Sequence, residues 1–415
     1  MPLFSGEDRR RYFVCRLSAA RLLSFIFIYL LLTPSFYKAH AQRRQIGDAK
    51  TILLRGKDFE KAEKMMTDLL KDTNNLQNKR IYDVWLQAVE KQYGQLNEKM
   101  YMKQKVDTAK LFTLTQRIFT VAERLDSIDM LPDKKGKVSP EYRKDNAQRL
   151  TSYRPNLFFG GAYYVRKQNF RNAYDFFEMY LDCDNQPLFE GYDFLSDDPR
   201  MGEAAYWATY CGYRMDDPML CLRYADIARR DTSKLEYTLH YICESWRKLG
   251  NDSLYQQSLW EGFRLNPKSL YFFPRLMDGY TSRGNYLEAD KVVDEALATD
   301  SLHELFLYAK SNVMLNLQRF ADCLRYSERL LERNHEAADA YYNAGIACLN
   351  IAQRIDSRKY KKQIKRMYQR ALPYMEAYRR MEPDQKDKWG PALYRIYFNL
   401  NMGKQFDEID KLLKR

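Results

Sequence analysis

Between Leu235 and Pro383, large apolar residues return at a fixed spacing of 34 positions. Leu239, Phe273, Leu307 and Tyr341 fill an opening slot. Seven residues on, two helical turns away, come Trp246, Tyr280, Met314 and Cys348. Sixteen residues after the opening slot the pattern takes a small side chain, Ala289 or Cys323, with Tyr255 as the exception. Pro267, Ser301 and His335 close the units. Apolar positions two turns apart predict one amphipathic helix. The small residue beyond a turn predicts a second helix packed closely on the first. The chain therefore reads as a string of helix-turn-helix units opening at about 202, 236, 270, 304 and 338.

Outside this stretch the helical period persists with looser register. After Gly56, Ala62, Met66, Leu69 and Leu70 form one stripe; Ile81, Val84, Trp85, Ala88, Val89 and Tyr93 form the next. A longer helix is predicted from about Met102 to Leu125, carrying Phe112, Leu114, Ile118, Phe119 and Ala122. Residues 42–153 are thus read as divergent helical repeats, and 154–187 as a first well-matched unit with Leu157, Gly160, Gly161, Tyr164, Ala173, Phe177 and Tyr180 in its slots. The next unit opens at Ala205, 14 residues late, which predicts an inserted loop over 188–201 on the surface. A second insertion of the same length falls near 351–364 inside the unit opened by Tyr341, where it is expected to lengthen the hairpin. The small slot returns at Ala371, the closing slot at Pro383, and 384–415 reads as a capping helix pair.

The order of slots resembles the tetratricopeptide repeat, whose 34-residue unit runs W-x2-L-G-x2-Y, then A-x3-F, then P. The resemblance covers most of 42–415 and is strongest from Leu157 to Pro383. It implies an all-α fold, a right-handed α-solenoid of tetratricopeptide-type repeats that presents surface to a partner. The whole chain also resembles exported repeat proteins of Bacteroidota. Some members of the repeat family bind an acidic C-terminal peptide through a carboxylate clamp. Asn312 and Asn343 fall at its asparagine places, but Tyr308, Gly390 and Tyr394 occupy the basic ones, so that function does not carry over.

Export is expected from the first 41 residues. Arg9, Arg10, Arg11, Arg16 and Arg21 precede an apolar run from Leu22 to Leu32, too short to span a bilayer, and Ala39-His40-Ala41 supplies a small-x-small cleavage pattern. An uncleaved anchor is the alternative. Cleavage near Ala41 takes six Lys/Arg and two Asp/Glu with it, so the formal charge falls from +13 to +9. Outside the cytoplasm this balance argues against nucleic acid as the partner. The basic run Arg354, Arg358, Lys359, Lys361, Lys362, Lys365 and Arg366 in the second insertion could touch an anionic envelope polymer or lipid, although such a run is more often a solvated helix face. Six cysteines remain beyond the leader. No C-x-x-C or metal-ligand spacing occurs, and Cys221, Cys243, Cys323 and Cys348 occupy repeat slots as small hydrophobes. Neither metal nor cofactor is expected.

The first helix of each repeat lines the inner side of a solenoid. Taking the positions opposite the opening slot gives a candidate partner groove: Tyr206, Tyr210, Tyr213, Arg214, Arg247, Lys248, Tyr308, Asn312, Asn316, Tyr342 and Asn350. Tyrosine, arginine and asparagine supply flat apolar area with polar tips and directional donors. A polypeptide segment is the ligand they suit best. A glycan or cell-wall polymer stacked on the same tyrosines is the alternative. A remote third reading is a glycosidase built on Glu244 and Asp278, at equivalent positions of adjacent units on helices roughly 8–10 Å apart. No H-E-x-x-H, G-x-S-x-G or phosphate-cradling loop supports an enzyme.

Overall fold

The computed structural model describes residues 42–133 and 135–414. The leader expectation therefore falls outside the described residues. Among them every regular element is a helix. They divide between Asp231 and Thr232 into two compact units.

The first unit holds α1 (42–55), α2 (Phe59–Leu69), α3 (Lys79–Tyr101), α4 (Thr108–Asp129), α5 (Arg143–Arg166), α6 (Phe170–Asp182), α7 (Phe194–Asp197), α8 (Met201–Arg214), α9 (Pro218–Arg223) and α10 (Ala225–Ala228). The second holds α11 (Leu235–Lys248), α12 (Asp252–Leu265), α13 (Phe272–Thr281), α14 (Tyr286–Thr299), α15 (Glu304–Asn316), α16 (Phe320–Leu331), α17 (Ala338–Arg354), α18 (Lys361–Met381), α19 (Lys386–Asn399) and α20 (Gly403–Leu413). Within each unit, helices pack mainly on the helices next to them in sequence, the mark of a quasi-one-dimensional array. The fold is thus an α-solenoid of helical hairpins.

One turn recurs and shows how the repeat sequence makes the hairpin. In six hairpins a residue just past the first helix adopts a left-handed conformation: Gln168 (φ 57°), Asp216 (63°), Gly250 (68°), Gly284 (70°), Gln318 (59°) and Asn401 (56°). The next residue's N–H then bonds back five residues: Asn169 to Tyr164 O, Asp217 to Gly212 O, Asn251 to Trp246 O, Asn285 to Tyr280 O, Arg319 to Met314 O and Met402 to Tyr397 O, all within 2.8–3.0 Å. This satisfies a carbonyl that the helix end would leave bare. In the 34-residue stretch the accepting residue is the second large apolar slot, so the repeat fixes turn and core together. Asn169, Asp217 and Asn251 then cap the second helix with their side chains.

The core follows the slots. Leu239, Phe273, Leu307, Met314, Ala289, Cys323, Cys348 and Ala371 are all buried. Burial pushes the Cys323 and Cys348 thiols up to about 12, in keeping with cysteine used as a small apolar residue.

Two expectations change. The boundary placed at 153/154 lies inside α5, which runs unbroken through Pro155. Proline costs one backbone bond, and the rest of the helix holds because both of its halves are packed: Ala147 and Leu150 on one side, Leu157 and Phe158 on the other. The 188–201 segment lies largely on the surface but is not a plain loop. A 3-10 turn, Pro187–Phe189, buries Leu188 and Phe189, and α7 follows. Arg154, buried in α5, pins the segment. Its guanidinium lies 3.8 Å from the Tyr180 ring centroid and 4.1 Å from that of Phe194, and it pairs with Asp198, which also accepts from the Tyr180 hydroxyl. The 351–364 insertion lengthens its hairpin as the spacing predicts: α17 and α18 are extended around a short turn at 355–360.

Candidate functional site

In the second unit the first helix α17 touches α15 on one side and α19 on the other, while the second helices α16, α18 and α20 approach each other less closely. A stack tighter on one side curves toward it, so α15, α17 and α19 form its inner layer. Tyr308 and Asn312 lie one turn apart on α15. Tyr342 of α17 packs its ring on Tyr378 of α18, with centroids 5.1 Å apart. The Lys388 ammonium of α19 is 5.8 Å from the Tyr342 ring centroid. Burial raises the Tyr308 hydroxyl above its ordinary range, and nearby Asp339 adds to this against the opposing pull of Asn312 and Lys388. Lys388 is itself raised, first by Tyr378, with Asp339 and Tyr342 contributing. Three sequence-predicted residues, Tyr308, Asn312 and Tyr342, are thus brought together with three that were missed: Asp339, Tyr378 and Lys388. Asp339 sits two positions before the opening slot, and Lys388 beyond the insertion-bearing unit, where the 34-residue register no longer guides the eye.

The other predicted groove residues divide. Asn316 is exposed on the last turn of α15 and donates to both the backbone and side-chain oxygens of Asn312 at 2.9 Å. Asn350 donates to Ile346 O at 2.9 Å and lies near the end of α17. Arg247 and Lys248 end α11; Arg247 is engaged with Glu244 at 2.6 Å. Asn343 is buried and donates to Ser311 Oγ at 3.0 Å, so it joins two helices and belongs to no clamp.

In the first unit, Tyr206, Tyr210 and Tyr213 share a stripe of α8. Tyr206 is only 7% exposed, so its ring belongs to the packing and presents no open face. Tyr210 lies edge-on to Phe170 at 5.8 Å and accepts from Arg214 at 2.5 Å, and that guanidinium covers Phe170 at 4.4 Å. Arg214 and Tyr210 therefore secure α8 to the start of α6.

Glu244 belongs to another polar group on α11 and α13. It accepts from the Tyr271 hydroxyl at 2.7 Å and from Arg247; the Arg275 guanidinium lies over the Tyr271 ring at 3.9 Å, and the His240 ring, tilted by 43°, has its centroid 3.9 Å from that of Tyr271. Burial pushes the Glu244 carboxyl up, but the bonds from Tyr271 and Arg247, with the charge of Arg275, outweigh it and hold it below the usual range. A glycosidase's general acid needs the opposite shift. Among the described residues, no three His, Cys, Asp or Glu gather as a metal site, and no helix is long and apolar enough to cross a membrane.

No family model matches the chain, and no curated protein is similar to it. Solved structures are similar only in outline. The C-terminal part of a TPR repeat-containing protein from Cytophaga hutchinsonii shares 14% identity over 61% of this chain and 93% of that one, with a TM-score of 0.40. The TPR domain of P58(IPK) shares 13% over 90% and 98%, with a TM-score of 0.25. The Cut9–Hcn1 hetero-tetramer shares 13% over 89% and 85%, with a TM-score of 0.31. At these identities and scores the likeness adds nothing to what the helices show themselves: an α-solenoid of 34-residue hairpins with a polar, tyrosine-bearing inner layer in its second unit.

Proposed function

We propose that this chain is an exported scaffold that binds an extended segment of another polypeptide across α15, α17 and α19. One observation carries the reading: two half-buried tyrosines, an asparagine, an aspartate and an exposed lysine converge from three neighbouring helices. Tyr308 and Tyr342 offer rigid apolar area at little entropic cost. Asn312 offers a donor and an acceptor to a peptide backbone, and Lys388 and Asp339 offer charge of either sign. Tyr210 and Arg214 have a structural role in this reading, and catalysis has none. The signal-like leader supports export to the cell envelope.

The test uses Tyr308→Ala and Lys388→Glu in the full chain, with proteins recovered from the native cell envelope. Loss of one co-purifying protein from both variants, with helical content retained, supports the reading. An unchanged set of co-purifying proteins defeats the groove assignment.

A further inference from the structure

The first unit contains a cavity of about 560 Å³. It opens among the end of α2, the turn after it, α3 and α4. Leu70, Leu76, Tyr82 and Trp85 line its apolar side. Thr120, Glu123, Arg124 and Ser127 line the α4 side, and Gln186 closes it.

Two features of this wall are unusual. The indole of Trp85 is held in place, because its N–H donates to Glu63 at 3.2 Å. Glu63 is itself held by Gln92 at 2.6 Å and Arg117 at 2.9 Å. Its neighbour Tyr82 is buried, 6.1 Å away ring to ring. The aromatic wall is therefore preorganised. Opposite it, the Glu123 carboxyl is partly buried and makes no hydrogen bond or ion pair among the described residues. The carboxyl faces the cavity, half-buried beside apolar side chains, and partial withdrawal from water without a partner disfavours its ionised form.

The charged and titratable groups around Glu123 do not fill the gap. Arg124 is the next residue along α4, about 100° around the helix, and is exposed without pairing to Glu123. On α6, Asp182 adds repulsion and is occupied by Tyr224 at 2.7 Å and Arg223 at 3.1 Å. Cys183, just beyond it, is buried as a thiol. Tyr82 on α3 is the remaining titratable group in the wall. Burial, with help from Asp182, pushes Glu123 up to about 7.

We infer that this cavity binds an organic cation, a primary ammonium or guanidinium group on an apolar stem, with Glu123 as its counter-ion and Trp85 and Leu76 against the stem. A cation supplies the missing partner, an aromatic wall is favourable to it, and the volume admits a stem of several carbons. The cation can be a free amine or the side chain of a lysine or arginine in another polypeptide.

The experiment is calorimetric titration of the full chain with benzylamine and with acetyl-lysine methylamide, and with benzyl alcohol as the uncharged control. Both ammonium probes stay protonated through the range used. Binding needs the ionised carboxylate, so affinity is expected to rise about tenfold from pH 6 to pH 8. Glu123→Gln is expected to abolish that rise and reduce affinity at pH 8 by at least tenfold, leaving benzyl alcohol unaffected. Binding of both amines marks a pocket open to a polypeptide side chain; binding of benzylamine alone marks one for free amines. Either result supports the inference. It is overturned if neither amine binds in the millimolar range, if benzyl alcohol binds as well as benzylamine, or if Glu123→Gln binds the amines unchanged.

Discussion

The recurring hairpin turn makes a prediction of opposite sign at two kinds of position. Gln168 holds φ 57° with an L side chain, whereas Gly250 holds φ 68° without one. The left-handed conformation costs an L residue roughly 1–2 kcal/mol, a penalty that the substitution Gln168→Gly removes. Against this, glycine's extra freedom in the unfolded chain takes back about 0.4–1 kcal/mol. Gln168 is exposed, so little else changes. Gln168→Gly should therefore stabilise the first unit by about 0.5–1 kcal/mol. Gly250→Ala should destabilise the second by a similar amount, although its methyl group would meet nothing within 4 Å. Urea denaturation followed by helical circular dichroism measures both, as a shift in midpoint with the slope unchanged. If Gln168→Gly is destabilising, or Gly250→Ala is neutral, the turn does not set the hairpin in the way described.

Other outcomes follow from single contacts. A methyl group on Gly212 would lie 2.3 Å from the Cys221 backbone nitrogen, so Gly212→Ala should force α8 from α9 and lower stability by about 1–3 kcal/mol. Gly345→Ala meets the flexible Met375 sulfur first and should cost less by the same melting assay. Burial pushes Asp198 up, but the bonds from Tyr180 and Arg154 hold its pKa below the free value; that stabilisation is present above about pH 4 and is lost as pH falls through the lower folded value. Asp198→Asn should free the 188–201 segment, seen as faster proteolysis there at pH 7. Glu123 shifts the other way. With a folded value of about 7 against 4.5, the folded state holds its proton more tightly, and stability falls as pH rises between the two. Glu123→Gln should therefore stabilise the chain by up to about 3 kcal/mol at pH 8 and hardly at all at pH 4, compared by thermal or urea unfolding.

The hairpins were legible in the sequence because the same residues do two jobs. Met314 in the core, and the half-buried Tyr280 and Trp246, also accept the bond that turns the chain, so one apolar period reports both packing and turn. Where a side chain's role depends on another hairpin, the period is silent. Asn343 lies at a position that reads as polar surface, yet it is engaged with Ser311 inside the stack. Tyr206 shares the stripe of Tyr210 but is covered. Pro155 reads as a break, and the packing of α5 overrides it. The 188–201 segment carries Gly191 and Pro199 and reads as loop; the apolar pair Leu188 and Phe189 and the buried Arg154 were the signals that its start is anchored in the core. Asp339 reaches Tyr308, and Lys388 reaches Tyr342, only through the packing of one hairpin on the next, which no local pattern encodes.

The central claim is that the α15–α17–α19 face holds a partner polypeptide. The most direct measurement places a photoreactive phenylalanine analogue at Tyr308 in intact cells and identifies what is captured on irradiation. The account predicts one reproducible protein, and predicts that Lys388→Glu in the same chain abolishes its capture. Capture of carbohydrate, or of nothing by a folded chain, would contradict it.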